Sequence, residues 1–260
     1  YLGCGTPYLQ FYGFLFFYLV GLADFVCRDF YLSVKAVLAV CHIVSGWAIY
    51  GFVRQATRSR QAGLVAGLAY MLSFWHVQQV LVMGRYPLAA VYALLPLPFW
   101  AFERGGRVAV LWGGIGLGAL AFAHPGYAFW ATGFWCVYAV VRVGTDLQIR
   151  ERAGEALVLL ATGVAFGAYL TLPMVLERGH TILRGEIEMT GVPDPTWQHL
   201  LYWSNQHLRL WRLPDGALHW YGGYVGISIV LLACAGLAWA VRRREGVHIA
   251  AVGGWYCRWS

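Results

Sequence analysis

Long apolar runs alternate with short polar connectors along most of this chain. The runs reach or approach the roughly 20 residues that a helix needs to cross the hydrocarbon core of a bilayer. They cover about residues 31–53, 62–83, 86–102, 107–123, 126–142, 154–176 and 220–241. The pattern predicts an all-α fold, a polytopic transmembrane helix bundle that forms a single domain over residues 1–260.

The aromatic segment before the first run is the exception. Residues 5–25 read "GTPYLQFYGFLFFYLVGLADF", but the uninterrupted apolar part, residues 11–23, would form a helix only about 20 Å long. That length is short of the roughly 30 Å core, and its phenylalanine and tyrosine rings suit the headgroup level. We therefore predict that residues 8–23 form a juxtamembrane helix on the outer leaflet. The alternative is a short, tilted span whose upstream half precedes Tyr1, since the chain reads as an internal piece of a longer protein.

Composition agrees with a membrane protein. Hydrophobic residues make up 60% of the chain and charged residues 12%, and the mean hydropathy is +0.57. A soluble domain carries about 25% charged residues, so this composition argues against a soluble fold.

The net charge of +7 comes largely from arginines in four connectors. These are "RQATRSR" (54–60), "ERGGR" (103–107), "RVGTDLQIRER" (142–152) and "RRRE" (242–245). The positive-inside rule predicts that they face the cytoplasm, in a multi-pass protein of the cytoplasmic (inner) membrane. No basic face is interleaved with stacking aromatics, so no nucleic-acid partner is expected.

Strict alternation then predicts that the remaining connectors are extracytoplasmic. They are the turn near residues 83–87, the turn at residues 124–126 and the long segment 177–219. The long segment is nearly neutral and rich in tryptophan, including Trp197. Indole faces stack on sugar rings and arginine binds phosphate through two hydrogen bonds, so a lipid-phosphate-linked sugar would use both. An aromatic belt with a folded lid would use the same residues.

Arg85, in "VMGRYPLAA", and His124, in "FAHPG", are the charged or polar side chains of the two short outer turns. Pro125 is expected to start the second helix of its pair, which would leave His124 at the surface to bind a phosphate or a backbone carbonyl. The histidines lack the spacing of metal ligands, so no metal site is expected among them. No carboxylate lies in the middle of a run, which weakens an ion-coupled transporter.

Several motifs resemble one family of membrane proteins over nearly the whole chain. They are "FYGFLFFYL", "YGFVRQ", "GLVAGLAYMLSFWHVQQVLVMGRYPLAAVYALLPLPF", "LAFAHPGYAF", "YLTLPMVLERG" and "WYGGYVGISIVLL". The chain resembles the 6-pyruvoyl-tetrahydropterin synthase-related membrane domain, which is similar to YfhO-type proteins and to the GT-C superfamily of lipid-dependent glycosyltransferases. No pterin chemistry is implied, because a zinc-type histidine cluster is missing.

The resemblance implies site residues that line an outer pocket. They are Arg85, Pro87, His124, Pro173, Glu177, Tyr224 and Gly226. It also implies that the catalytic carboxylate lies upstream of Tyr1, and it allows a divalent metal bound through that acid. Family members often have an acid where this chain reads "GRYPLAA", with Leu88 or Ala89 in its place.

These features lead to three hypotheses. The first is a GT-C-like membrane glycosyltransferase that takes a sugar from a polyprenyl-phosphate donor at the extracytoplasmic face. Arg85, with Arg178 or Arg184, would hold the donor phosphate, and membrane lipid would surround the protein. The others are a lipid or solute transporter or flippase, and a non-catalytic assembly factor.

Overall fold

The computed structural model describes residues 13–82, 84–146, 148–177 and 231, and every regular element among them is helical. Eight of these elements form a core bundle: α1 Leu15–Cys27, α2 Phe30–Thr57, α3 Arg60–Met71, α5 Pro87–Leu94, α6 Leu97–Arg104, α7 Arg107–Ala123, α8 Pro125–Thr145 and α9 Ile149–Leu176. Between α3 and α5 lie the short helix α4, Phe74–Val77, and a π-helix, Gln78–Val82. The predicted run 220–241 apart from residue 231, the segment 178–219 and residues 8–12 of the aromatic segment lie outside the described residues.

Four apolar runs form single helices close to their predicted limits, namely α2, α7, α8 and α9. Within the described residues, α2 and α9 are long and apolar enough to cross a membrane, judged by length and composition. Helix α7 is apolar but has 17 residues, which is below the length of a typical span.

The predicted continuous helices over 62–83 and 86–102 are each interrupted. The first stops at Met71, and the Ser73 hydroxyl then accepts a hydrogen bond from the His76 backbone N–H at 3.4 Å, which offers the backbone an alternative to the helix. The second breaks between α5 and α6 at Pro96, which has no backbone N–H to continue the α-helical ladder.

Helix α1 continues four residues beyond the predicted end at Ala23. It ends where Arg28 adopts a left-handed conformation, with φ of 51°, and donates its backbone N–H to the Asp24 carbonyl at 2.8 Å. The next residue, Asp29, begins α2, because its carboxylate accepts the Leu32 N–H at 2.9 Å. Asp24 therefore lies within α1.

Helix directions follow from the residues that face each other. Helix α7 runs parallel to α9, because Gly113 meets Leu159 while Gly118 meets Gly163 and Gly167. Since one tight turn at His124–Pro125 joins α7 to α8, α8 runs in the opposite direction.

Helices α5 and α6 run antiparallel to α7 and parallel to α2. Ala101 faces Gly113 and Leu97 faces Gly116, so α6 and α7 run in opposite directions. Near the end of α2, Phe52 contacts Phe99 of α6, with ring centroids 5.7 Å apart. Nearer the start of α2, His42 lies beside His76, and His76 stacks on Tyr92 of α5. The bundle therefore has an arginine-rich end, which carries residues 54–60, 104–107 and 142–152. It also has an Arg85 end, which carries the 84–87 turn, the 124–125 turn, the start of α2 and residue 177.

Small residues allow α7 and α9 to pack at close range. A methyl group added at Gly118 would lie 2.6 Å from the Gly163 carbonyl oxygen, and one added at Gly114 would lie 2.7 Å from the Leu159 carbonyl oxygen. Gly114 and Gly118 thus form a stripe of small residues on α7 that contacts α9 directly. Its partner stripe on α9, Gly163 and Gly167, has the same spacing of four residues.

Buried ion pairs fasten the arginine-rich end. The Glu103 carboxylate, 5% exposed, accepts hydrogen bonds from Arg142 at 2.6 and 2.9 Å, and the Tyr138 hydroxyl donates to the same carboxylate. Arg152 donates to the Phe102 carbonyl at 2.8 Å and pairs with two further carboxylates of the α8–α9 region. These contacts join the end of α6 to α8 and α9.

Candidate functional site

The turn that carries Arg85 follows the π-helix directly. Gln79, which is fully buried, accepts two hydrogen bonds from Arg85. The Arg85 backbone N–H donates to the Gln79 carbonyl at 3.1 Å, and Arg85 Nη1 donates to Gln79 Oε1 at 3.0 Å. π-helical turns occur frequently at functional sites, because the extra residue redirects side chains. The guanidinium is half-buried at the Arg85 end of the bundle.

His124 caps the start of α8 near this turn. Its Nδ1 accepts the Tyr127 N–H at 3.4 Å, and its ring lies edge-on to the Tyr127 ring with centroids 4.9 Å apart. Pro125 occupies the first turn, which confirms that the proline starts this helix. Burial lowers the pKa of His124, and the positive charge of Arg85 lowers it further, so the imidazole is held neutral.

The structure thus brings Arg85 and His124 together, as the two predicted outer turns required. The charge of Arg85 also reaches Tyr92 on α5 and Tyr127 on α8. The imidazole and the two phenols are hydrogen-bond donors, as an anion attracted by the guanidinium would require.

Tyr92 is the buried tyrosine of this polar cluster. Its side chain is 8% exposed, its ring stacks on His76 with centroids 4.0 Å apart, and its hydroxyl has no hydrogen-bond partner among the described residues. The neighbouring Tyr70 hydroxyl is satisfied, since it donates to the Tyr92 carbonyl at 3.2 Å. His42, the histidine in the middle of α2, lies 5.0 Å from His76 between ring centroids.

Helix α1 lies beside the site. Its beginning contacts α7 through the stacked rings of Phe14 and Phe122, 5.3 Å apart, and Phe16 lies 6.1 Å from the ring of Tyr86. Its end joins the start of α2, so both ends of α1 are at the Arg85 end of the bundle. The outward face forms an open groove of about 440 Å³, lined by Phe17, Tyr18, Gly21, Leu22 and Phe25.

The remaining predicted site residues are more distant or lie outside the description. Glu177 is exposed at the end of α9, where its N–H donates to the Pro173 carbonyl at 2.8 Å. Because α9 is parallel to α7, Glu177 is at the Arg85 end as well. Five predicted residues lie outside the described residues, namely Arg178, Arg184, Trp197, Tyr224 and Gly226.

The sequence analysis did not identify the residues of the cluster that lie around Tyr92. His76, Gln78 and Gln79 are buried polar residues within the apolar run 62–83, and Tyr92 lies in the next run. Three polar residues within four positions of an apolar run were the available signal. Across residues 13–82, 84–146 and 148–177, no three histidine, cysteine, aspartate or glutamate side chains meet as metal ligands.

Comparisons of the chain with protein-family models, with curated proteins and with solved structures found no match.

Proposed function

We propose that the chain is a multi-pass protein of a cytoplasmic membrane, with its Arg85 end on the extracytoplasmic side. The charge distribution supports this orientation, because the Arg85 end carries only three of the described basic residues: Arg28, Lys35 and Arg85. The other end carries eight: Arg54, Arg58, Arg60, Arg104, Arg107, Arg142, Arg150 and Arg152. Basic residues are enriched in cytoplasmic connectors.

Side-chain placement supports the same proposal. The described interior contains polar and small residues, while α8 presents a mainly apolar surface outward. The outward residues of α8 include Phe129, Trp130, Phe134, Val137, Val140 and Val141. Such a surface suits a hydrocarbon environment, whereas buried polar groups need partners from neighbouring helices.

We further propose a membrane glycosyltransferase-like activity of the GT-C type, with a polyprenyl-phosphate-linked sugar as the donor. The observation that carries the proposal is the position of Arg85, oriented by Gln79 beside His124 at the arginine-poor end. A guanidinium at the lipid surface binds phosphate through a charge-assisted pair of hydrogen bonds. The apolar groove on α1 offers a surface for the prenyl chain.

In this proposal the described residues bind and orient the donor. Arg85 holds the phosphate at the membrane surface, and neutral His124 offers a hydrogen bond without adding charge. Activation of the acceptor requires a carboxylate as general base, which the resemblance assigns to the region upstream of Tyr1. A divalent metal, where one is used, would be held by that acid.

The test compares Arg85→Ala with Arg104→Ala in the full-length protein. Both variants lose one arginine, but Arg104 lies at the opposite end and is exposed. Loss of a charge-assisted phosphate contact of about 1.5–3 kcal/mol should lower sugar transfer from a polyprenyl-phosphate donor about 10- to 150-fold in Arg85→Ala. Arg104→Ala should retain wild-type transfer. Equal rates for the two variants would remove Arg85 from the donor site.

A transporter or flippase is the second candidate, and the broken helix between α3 and α5 favours it. Discontinuous helices with buried polar residues such as Gln78 and Gln79 form substrate sites in many transporters. Reconstituted vesicles separate the candidates: a transporter moves a labelled phospholipid or solute across the bilayer without adding sugar. The glycosyltransferase yields a glycosylated acceptor on one side only.

A further inference from the structure

The Tyr92 hydroxyl is one of three buried polar side-chain atoms without a hydrogen-bond partner among the described residues, together with Gln78 Oε1 and Trp135 Nε1. A buried tyrosine hydroxyl normally finds a hydrogen-bond partner, and leaving it without one is unfavourable. The Tyr92 hydroxyl has none among the described residues, while Tyr70, packed against it with ring centroids 6.0 Å apart, donates to a carbonyl. The comparison within one cluster suggests that the Tyr92 hydroxyl serves something other than packing.

The surroundings of Tyr92 indicate an anion. Arg85 reaches this region through Gln79, its hydrogen-bond partner at 3.0 Å, which lies three residues after the His76 that stacks on Tyr92. His76 covers one face of the Tyr92 ring, with the planes 25° apart, and so fixes its orientation. A phenol is a hydrogen-bond donor, and a phosphate oxygen is a strong acceptor.

We propose that Tyr92 donates a hydrogen bond to the phosphate held by Arg85, and that this residue is part of the binding site for the phosphate group of a prenyl phosphate. The assignment rests on the proposed function, because it deepens the donor site built around Arg85. Tyr92 lies five residues beyond Pro87 along α5, so its Cα is about 7.5 Å further into the bundle. The phosphate is therefore bound below the surface turn.

Binding of a phosphate at Arg85 involves the contact between Arg85 and Gln79. The hydroxyl is closed to solvent, and Arg85 Nη1 is bound to Gln79 Oε1 at 3.0 Å. An incoming phosphate competes with the neutral amide for the guanidinium, and the charged acceptor forms the stronger hydrogen bond. This exchange releases the guanidinium from Gln79 and lets it bind the phosphate.

The experiment measures binding of farnesyl phosphate to the full chain in detergent, by titration calorimetry, with farnesol and inorganic phosphate as probes. Tyr92→Phe removes only the hydroxyl, and Tyr70→Phe is the matched control from the same cluster. We expect Tyr92→Phe to weaken farnesyl phosphate binding about 10- to 100-fold, the effect of losing one hydrogen bond to a charged group. Farnesol binding should not change, and Tyr70→Phe should keep its affinity for farnesyl phosphate.

Thermal unfolding without ligand checks the premise. Because the hydroxyl lacks a partner, Tyr92→Phe should keep or raise the melting temperature, whereas Tyr70→Phe should lower it. A fall in Tyr92→Phe of more than about 3 °C, roughly 1 kcal/mol, would show that the protein itself satisfies the hydroxyl and would overturn the assignment.

The outcomes separate this assignment from the proposed function. If Arg85→Ala loses binding while Tyr92→Phe binds like the wild type, the Tyr92 assignment fails and the donor site at Arg85 stands. If the wild type binds neither farnesyl phosphate nor inorganic phosphate, both fail. If it binds inorganic phosphate as tightly as farnesyl phosphate, with the Tyr92 effect intact, the assignment stands and the lipid-linked donor is wrong.

Discussion

Replacing Glu103 with glutamine should destabilise the bundle at its arginine-rich end. The change preserves the shape of the side chain but removes the charge that Arg142 pairs with at 2.6 and 2.9 Å. Breaking a buried ion pair costs about 3–5 kcal/mol, chiefly because the other charge stays buried without its partner. Arg142 is 26% exposed and regains some water, so we expect a loss of about 2–3 kcal/mol.

The assay is reversible unfolding in mixed micelles, followed by far-ultraviolet circular dichroism as the fraction of denaturing detergent rises. A loss of 2–3 kcal/mol corresponds to a melting temperature lower by about 4–12 °C in a chain of this size. Glu151→Gln is the matched control, because it removes the same charge from an exposed position in the first turn of α9. It should cost less than about 1 kcal/mol.

A double variant tests the physical reason. In Glu103→Gln combined with Arg142→Gln, no charge is left buried without a partner, so the loss should be smaller than the sum of the two single losses by more than about 1 kcal/mol. The reasoning is refuted if Glu103→Gln unfolds within about 0.5 kcal/mol of the wild type. Additive single losses would also refute it, because they would show no coupling between the two charges.

Two further predictions concern helix packing and pH. Gly118→Ala should lower the free energy of unfolding by about 1–3 kcal/mol, because the added methyl group would lie 2.6 Å from a carbonyl oxygen of α9. The control Gly133→Ala has open space around the added methyl group and should leave the free energy of unfolding unchanged or raise it. The pKa of His124 lies below its usual value of 6.5 in the folded state, chiefly through burial, so below about pH 6.5 the unfolded chain binds more protons at this residue. The free energy of unfolding should therefore fall as the pH is lowered from 7 to 5. The variant His124→Asn retains a helix-capping side chain and should show a smaller fall. An identical pH dependence in wild type and variant would contradict the prediction.

Much of the fold was predictable because it depends on local sequence. The long apolar runs at α2, α7, α8 and α9 became helices near their expected limits, since apolarity and helix length are properties of a segment alone. The interruptions at Ser73 and Pro96 were not expected, although both residues were visible. Their effect depends on whether neighbouring helices satisfy the freed backbone groups, which a single segment does not reveal.

The candidate site shows the same division. The sequence alone was sufficient to place Arg85 and His124 at one end of the bundle, because each is a polar residue at a turn between apolar runs and alternation assigns those turns to one side. Tyr92 and Gln79 could be recognised only in the folded chain, since Tyr92 reads as an ordinary apolar-run tyrosine until its hydroxyl is found buried near Arg85.

Local hydrophobicity and the positions of the charged connectors thus decide where the long helices form and which ends of them lie together. The pairing of Glu103 with Arg142 across 39 residues, and the meeting of α5 with the π-helix around one guanidinium, required the tertiary structure. Such contacts depend on the relative rotation and depth of packed helices, and those are set by close approach at glycines such as Gly118 and Gly163, far apart in the chain.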